Sequence, residues 1–278
     1  MTRISILVVN YNGGEVLGET LSSLMELRSE WHELILADNG STDGSLHRAM
    51  VGFAEIQALK LGANLGFGTA NNRAAALATG DYLMLVNSDA RPAPGCLSRL
   101  KSVLDRHPEV GLVSPYLRYP DGRRQFHWAP TTSVFGEAVQ MVRNRFESQP
   151  WVHRRFGRDR GWYTAACVLI RKTAFDAIGG FDEGFFLYFE DVDLCLRLRA
   201  AGWQLVDDPQ ASAVHIKGGS QAMAPSSAGG LHYRLGQARY YRKHRPLWEQ
   251  QFVRRKILRK MDDPEARILL ERVYESDL

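Results

Sequence analysis

From Ile4 the chain opens on an uninterrupted apolar run, ISILVVNY, the pattern of a strand buried on both faces. Between Glu15 and Arg28, Val16, Leu17, Thr20, Leu21 and Leu24 recur at helical spacing. ELILADN predicts a second strand, and STDGS leads into a short helix. IQALKLG predicts a third strand, followed by an alanine-rich helix from Gly68 to Thr79. DYLMLVNSD is a fourth strand, a helix runs from Pro94 to Arg106, and GLVSPYL is a fifth strand. Strands alternating with helices predict an α/β fold around a mainly parallel, doubly wound sheet. Ligands of such sheets bind beyond the carboxyl ends of the strands.

The rhythm breaks over residues 116–160. YPDGRR has the chemistry of a tight turn. The residues after it are rich in Arg, Trp and Pro without a period, and predict a hairpin followed by a mobile basic segment. GWYTAACVLIRK returns to strand character, and a short helix leads into GGFDEGFF. A helix is expected from Glu190 to Ala201, stopped by Gly202. KGGSQAMAPSSAGG reads as a flexible loop, and basic helices finish the chain.

Composition adds little to this picture, but charge does. The 278 residues, 45% hydrophobic and 24% charged, suit a globular protein with a sizeable core. Cys96, Cys167 and Cys195 are odd in number and widely spaced, so they read as reduced core thiols of a cytoplasmic protein. The first apolar run is too short for a signal peptide, and no run approaches the roughly 18 residues of a membrane span. The net charge of +4 is uneven. Residues 234–260 hold ten Lys/Arg against Glu249 alone, which leaves the rest of the chain acidic and points to an anionic partner.

Three strands end in polar loops: NYNGG, ADNGSTDGS and NSDA. In a parallel sheet these ends share one edge, so Asp38 and Asp89 should border one cleft. An Asp at a strand end can accept hydrogen bonds from a base or ribose, and one in NSD can bind a hard divalent cation. The same residue types also form turns and cap helices. NLGFGTAN nearly matches GxGxxG, but Asn71 stands at the third glycine and the segment follows the third strand. The acids Glu190, Asp191 and Asp193 lie among Phe181, Phe185, Phe186, Tyr188 and Phe189, where apolar surroundings oppose ionisation.

The pieces ILVVNYNG, ADNGSTDGS, NLGFGTANN, LVNSDA, GGFDEGFFLYFEDVDLCLRLRAAGW and VHIKGGS, in this order, resemble the family-two glycosyltransferases with the GT-A fold. The long NLGFG and FFLYFEDVDLCLR forms resemble the bacterial rhamnosyltransferase branch. The resemblance implies residues 1–115 as a nucleotide-sugar-binding half and 116–220 as the acceptor-binding and catalytic half. Residues 221–278 are then a basic helical extension. It implies inverting sugar transfer from a nucleotide diphosphate donor, best matched by dTDP-L-rhamnose, with UDP- or GDP-sugars as alternatives. The acceptor implied is a hydroxyl of a glycan or lipid-linked glycan.

Carried over residue by residue, Asp38 matches the acid that contacts the nucleobase, with Tyr11 beside the base. Asn64 and Asn71 match donor-binding positions. NSD matches the DxD metal motif, with Asn87 in place of its first acid. Asp89 is then the main ligand of Mg²⁺ or Mn²⁺, and His215 completes the metal and diphosphate site. Asp191 matches the general base and Glu190 its partner, and Trp162 falls where an aromatic lines the acceptor pocket. Asp193, four residues before Arg197, reads instead as a solvated ion pair.

Two other classes fit less well. A nicotinamide-dependent oxidoreductase wants GxGxxG after the first strand, which NYNGG lacks. A non-catalytic nucleotide-sugar-binding module has no use for the second acid site. No RNA-binding motif supports a nucleic-acid partner. Over residues 246–261, Trp248, Phe252, Val253, Ile257 and Met261 keep helical spacing beside Arg254, Arg255, Arg259 and Lys260. That pattern fits peripheral contact with the inner face of the cell membrane, or a helix packed on the domain.

Overall fold

The computed structural model describes residues 3–146, 161–216, 226–261 and 263–275. Residues 217–225 of the KGGSQAMAPSSAGG stretch and the later part of the basic segment, 147–160, lie outside the described residues, while the end of that stretch, expected as loop, is helical from Ser226.

An eight-stranded sheet organises the chain. β1 (Ile4–Asn10) lies between β2 (Glu33–Asp38) and β4 (Tyr82–Asn87), and β3 (Ile56–Lys60) flanks β2; all three pairings are parallel. β9 (Cys167–Arg171) then inserts antiparallel between β4 and β6 (Val110–Arg118). β10 (Gln204–His215) runs parallel to β6 and antiparallel to the short edge strand β5 (Ala90–Pro92). The sheet is therefore mixed, with four parallel and three antiparallel pairings.

Alternate residues of the strands feed two apolar layers, as the two-residue side-chain period requires. Ile4, Ile6 and Val8 pack with Leu17, Leu21 and Leu24 of α1 (Gly14–Glu26) and with Leu97, Leu100 and Leu104 of α4 (Cys96–Arg106). Ala49 of α2 (Ser45–Gly52) joins that layer. On the other face, Leu7, Leu83 and Leu85 pack with Ala70, Ala74 and Ala75 of α3 (Phe67–Leu77). The small alanine side chains allow that helix to approach the sheet closely. The three cysteines are free thiols and buried, as expected.

The segment expected to be mobile and basic after the turn holds a helix, Val134–Arg145, capped by the Ser133 hydroxyl, which accepts from Gly136 N. Two strand expectations also change in form. GWYTAACVLIRK is two strands: β8 (Trp162–Tyr163) pairs with β7 (Trp128–Ala129) in a separate ribbon, and only β9 enters the main sheet. β10 carried little strand signal, because QLVDDPQASAVH is polar and holds Pro209. The proline falls where the register jumps between Asp208 and Ser212, in a bulge that tolerates a missing N–H. The YPDGRR turn forms as expected, with Tyr119 N donating to Arg123 O and Gly122 at φ +84°.

The other helices are α5 (Val134–Arg145), α6 (Lys172–Ala177), α7 (Glu190–Ala200), α8 (Ser226–His244), α9 (Leu247–Leu258) and α10 (Pro264–Glu275). A third apolar cluster joins Phe185, Phe189 and Val192 to Tyr240, Tyr241, Val253, Ile257 and Leu270, so the extension packs on α7. α7 thus belongs to two layers, with Leu194, Cys195 and Leu198 facing the sheet and Val192 facing the extension. The apolar residues of 246–261 divide accordingly: Val253, Ile257 and Met261 are buried, while Trp248 and Phe252 face outward.

Candidate active site

The carboxyl ends of β1 and β2 meet in register at Asn10 and Asp38. Asn10 Nδ2 donates to Asp38 Oδ1 at 2.9 Å and to the hydroxyls of Ser41 and Ser45. Ser41 N reaches Asp38 Oδ2, so the carboxylate is held at the base of the first loop pair. Tyr11 follows directly and is exposed at the rim. Gly40 has φ +80°, and a Cβ there would lie 2.8 Å from the backbone of Ala63, so this loop presses on the next one.

That next loop carries Asn64 and leads into α3. Asn64 Oδ1 accepts from Asn39 Nδ2 at 2.8 Å and from Gly66 N, which ties its amide into the loop. Asn71 is buried and donates to Phe67 O in its own helix. Gly66, at φ +90°, touches the backbone of Phe186: an added Cβ would lie 2.4 Å from Phe186 O, which also accepts from Phe67 N. The glycine-rich loop is therefore fastened to the aromatic turn that precedes Glu190.

Asn87 ends β4, and Asp89 lies in the turn directly before β5. Both are in protected positions, and neither Asn87 Oδ1 nor Asp89 Oδ1 has a hydrogen-bond partner. β10 brings His215 opposite Ala90, and His215 Nε2 lies 3.4 Å from Asp89 Oδ1. The other ring nitrogen, Nδ1, is 2.7 Å from Gln125 Oε1, while Gln125 Nε2 faces His215 O. That amide orientation makes Gln125 Oε1 the acceptor, so the neutral ring carries its proton on Nδ1 and turns the Nε2 lone pair toward Asp89. Two electron-pair donors facing each other repel unless a proton or a cation lies between them. The donor set, one carboxylate and one imidazole with an unpartnered oxygen, therefore fits a divalent metal ion. Among the described residues no group of three or more His, Cys, Asp or Glu is placed to hold a metal ion, so Asp89 and His215 stand here as a pair.

Glu190 and Asp191 begin α7 after a strained turn. Tyr188 and Phe189 both have positive φ, 70° and 69°, a conformation that costs bulky residues about 1–3 kcal/mol each. Packing holds it: Phe189 lies against Tyr233 and Tyr240, and Gly236 leaves room for Tyr188 O. Glu190 is buried, and its Oε2 has no hydrogen-bond partner. Burial, then the Asp191 charge, pushes the Glu190 carboxyl well above the usual range. Asp191 is only partly buried. Burial raises its carboxyl too, but the N–H groups of Val192 and Ala165 and the Thr164 hydroxyl oppose that rise. Within the pair Glu190 thus keeps its proton more firmly, and Asp191 is the carboxyl that ionises first.

One short backbone path joins the two acid sites. Asn87 N donates to Ala166 O, and the adjacent Ala165 and Thr164 contact Asp191. Trp162 stands two residues upstream, between two apolar clusters, with its indole N–H unpartnered. The structure thus links Asp38, the Asn64 loop, the Asn87–Asp89 turn with His215, and Glu190–Asp191 through consecutive contacts around one sheet edge.

Asp193 corrects an expectation. Its pair with Arg197 forms, at 2.6 Å, but the carboxylate is fully buried rather than solvated. Lys243 Nζ and His244 Nε2 of α8 each lie 2.7 Å from its other oxygen. Lys243 and Arg239 also bind Asp182. The sequence carried no sign of this network, because the i,i+4 pattern of Asp193 and Arg197 is also that of a surface pair. Thr164 and Gln125 were likewise missed; polar residues in irregular segments give no signal until the fold brings them to Asp191 and His215.

A family model described as glycosyl transferase family 2 matches residues 5–179. The N-acetylglucosaminyl-diphospho-decaprenol L-rhamnosyltransferase of Mycobacterium tuberculosis is 33% identical over 251 residues, 83% of this chain and 81% of that protein. The O-antigen biosynthesis protein RfbC of Myxococcus xanthus is 31% identical over 226 residues, 79% of this chain and 18% of that protein. Among solved structures, a mannosyltransferase from Pyrobaculum calidifontis in complex with GDP-Man and Mn²⁺ superposes with a TM-score of 0.57. It shares 18% identity over 97% of this chain and 68% of that one. Glucosyl-3-phosphoglycerate synthase from Mycobacterium tuberculosis, in complex with Mn²⁺, UDP and phosphoglyceric acid, gives a TM-score of 0.60. Its identity is 17%, over 88% of this chain and 80% of that one. These likenesses show the fold. The chain belongs to glycosyl transferase family 2, has the GT-A fold and is a glycosyltransferase.

Proposed function

We propose that the chain is an inverting, metal-dependent rhamnosyltransferase that moves L-rhamnose from dTDP-L-rhamnose to a hydroxyl of a lipid-linked glycan. The rhamnosyl and lipid-linked parts rest on the relative whose name gives an N-acetylglucosaminyl-diphospho-decaprenol substrate. The observation that carries the mechanism is the carboxyl pair at the start of α7, with Glu190 buried, which raises its carboxyl, and Asp191 only partly buried.

In this reading Asp191 takes the proton of the acceptor hydroxyl as that oxygen bonds to the anomeric carbon. The bond from that carbon to the diphosphate oxygen breaks in the same step, and the nucleoside diphosphate leaves with the electron pair. Base catalysis of this kind typically contributes about 10²–10⁴-fold. The Asp191 anion is favoured by the helix N-terminus and by its three donors, while Glu190 keeps its proton and so adds no like charge at neutral pH. Asp89 and His215 would hold Mg²⁺ or Mn²⁺, with substrate diphosphate and water completing the ligands; when bound, the ion offsets charge on the departing diphosphate. Asp38 and Tyr11 contact the base of the donor, and Asn87 faces the diphosphate. Asn64 and Asn71 hold the glycine-rich loop in its donor-binding form. Trp162 lines the acceptor pocket, its unpartnered indole N–H serving a sugar hydroxyl.

A panel of nucleotide sugars with Mg²⁺ or Mn²⁺ tests the reading, scored by nucleotide release and donor-induced thermal stabilisation. Release and stabilisation with dTDP-L-rhamnose are expected. A response confined to a UDP- or GDP-sugar overturns the donor assignment, and stabilisation with no release from any donor overturns the catalytic one.

A further inference from the structure

α5 is amphipathic in the inverted sense. Phe135, Ala138, Val139, Val142 and Phe146 recur at i, i+3, i+4, i+7 and i+11, one face of a helix, and all are exposed. Phe135 is 75% exposed, the neighbouring Met141 70% and Val142 52%. The polar face turns inward instead. Glu137 accepts from Gln237 Nε2 at 2.6 Å, and Arg143 is buried, stacked over Phe126 and donating to Trp128 O. A monomer in water gains nothing from this orientation, and contiguous apolar patches of this kind mark interaction sites.

α9 continues the surface. Val134 N donates to Glu249 Oε2, and Lys256 Nζ lies 3.9 Å from Glu137 Oε2, so the two helices abut. α9 exposes Leu247, Trp248 and Phe252 in its first turns. Further along the same face come Arg255 and Arg259, followed by Lys260 beyond the helix, all exposed and without a carboxylate partner among the described residues. Phe252, Arg255, Lys256, Arg259 and Lys260 line a recess of about 410 Å³. An apolar face bordered by unpaired cations, with a Trp and two Phe at its edge, is complementary to an interface with apolar depth and anionic headgroups.

We infer that the outer faces of α5 and α9 together form a docking surface for an anionic phospholipid bilayer. The apolar residues of α5 and the start of α9 enter the headgroup boundary, and Arg255, Arg259 and Lys260 contact lipid phosphates. This deepens the proposed use of a lipid-linked acceptor, but it stands on surface chemistry alone, so its test uses neither donor nor acceptor.

The test is co-sedimentation of the full chain with phosphatidylglycerol vesicles, compared with phosphatidylcholine vesicles and with high salt. Binding to phosphatidylglycerol is expected, weakening at least tenfold in phosphatidylcholine or at about 1 M salt. The triple variant Phe135→Ser, Val142→Ser, Phe252→Ser should lose binding at least tenfold, while Ile268→Ser, an exposed control on α10, should bind as the parent does. In the unaltered protein, brominated phosphatidylglycerol should quench an emission component that Trp248→Phe removes. The inference is overturned by a protein that stays in the supernatant, by a triple variant that binds like the parent, or by absence of Trp248 quenching. It is also overturned if the parent is a dimer without lipid and the triple variant a monomer, since a second copy would then cover the face.

Discussion

Asp193→Asn removes one charge from the centre of the network that ties α7 to α8, and its effect can be worked out from the structure. The Asp193 carboxyl titrates at about 2: burial opposes ionisation, but His244, Lys243 and Arg197 outweigh it. Measured from its ordinary value of 3.8, that difference is roughly 2 kcal/mol of stability near neutral pH. Neutralising it also leaves the Lys243 and Arg197 cations facing each other beside His244 in a protected site, and breaking a buried pair typically costs about 3–5 kcal/mol. A loss of roughly 2–5 kcal/mol is therefore expected in urea unfolding, read as a lower midpoint at unchanged slope. The sign with pH is defined. A lowered carboxyl stabilises above its unfolded value and loses that contribution as pH falls through the folded one. The parent should thus lose stability between about pH 4 and pH 2 more steeply than the variant. Because Asp191 lies two residues away on the same helix, turnover should fall more than donor affinity. Adding Lys243→Met should recover part of the stability by removing one unpaired cation. A variant within about 0.5 kcal/mol of the parent, with the same acid profile, would refute the buried network.

Other predictions concern the site itself. Gln125→Leu frees the Nδ1 side of His215, so divalent metal affinity, measured by calorimetry, should fall about 10–100-fold with little change in donor binding without metal. Gly66→Ala puts a methyl group 2.4 Å from Phe186 O at φ +90°, so it should lower the melting temperature by several degrees and weaken donor binding; a neutral outcome contradicts the loop contact. The acid limb of kcat/KM should lie above the ordinary Asp range, because burial raises Asp191 and the base must be ionised to act. The same raised carboxyls destabilise the fold as pH rises through their folded values, opposite in sign to Asp193, and a melting-temperature series in pH separates the two contributions.

The strands and helices of the first half were legible because each is a long apolar run or a clear helical period. Ile4–Asn10, Glu33–Asp38 and Tyr82–Asn87 needed only that pattern to identify them, and they deliver Asp38 and Asp89 to one edge. β10 was not legible, since it is polar, bulged and proline-containing, yet it brings His215 to Asp89. The positive φ of Tyr188 and Phe189 has no local signal either; aromatic packing from a helix more than 40 positions away enforces it. Asp193 misled for a related reason: burial depends on α8, and no local pattern records where that helix lands. Gln125 and Thr164, which complete the site around His215 and Asp191, come from irregular segments, where tertiary contacts decide the role.

The proposal that Asp191 is the general base meets its most direct test in single-turnover transfer by Asp191→Asn, with donor affinity measured on the same preparation. The account predicts unchanged donor binding, a rate lower by about 10²–10⁴-fold, and a fold at least as stable at neutral pH, because a buried acid no longer has to ionise. Transfer at near-parental rate would contradict it.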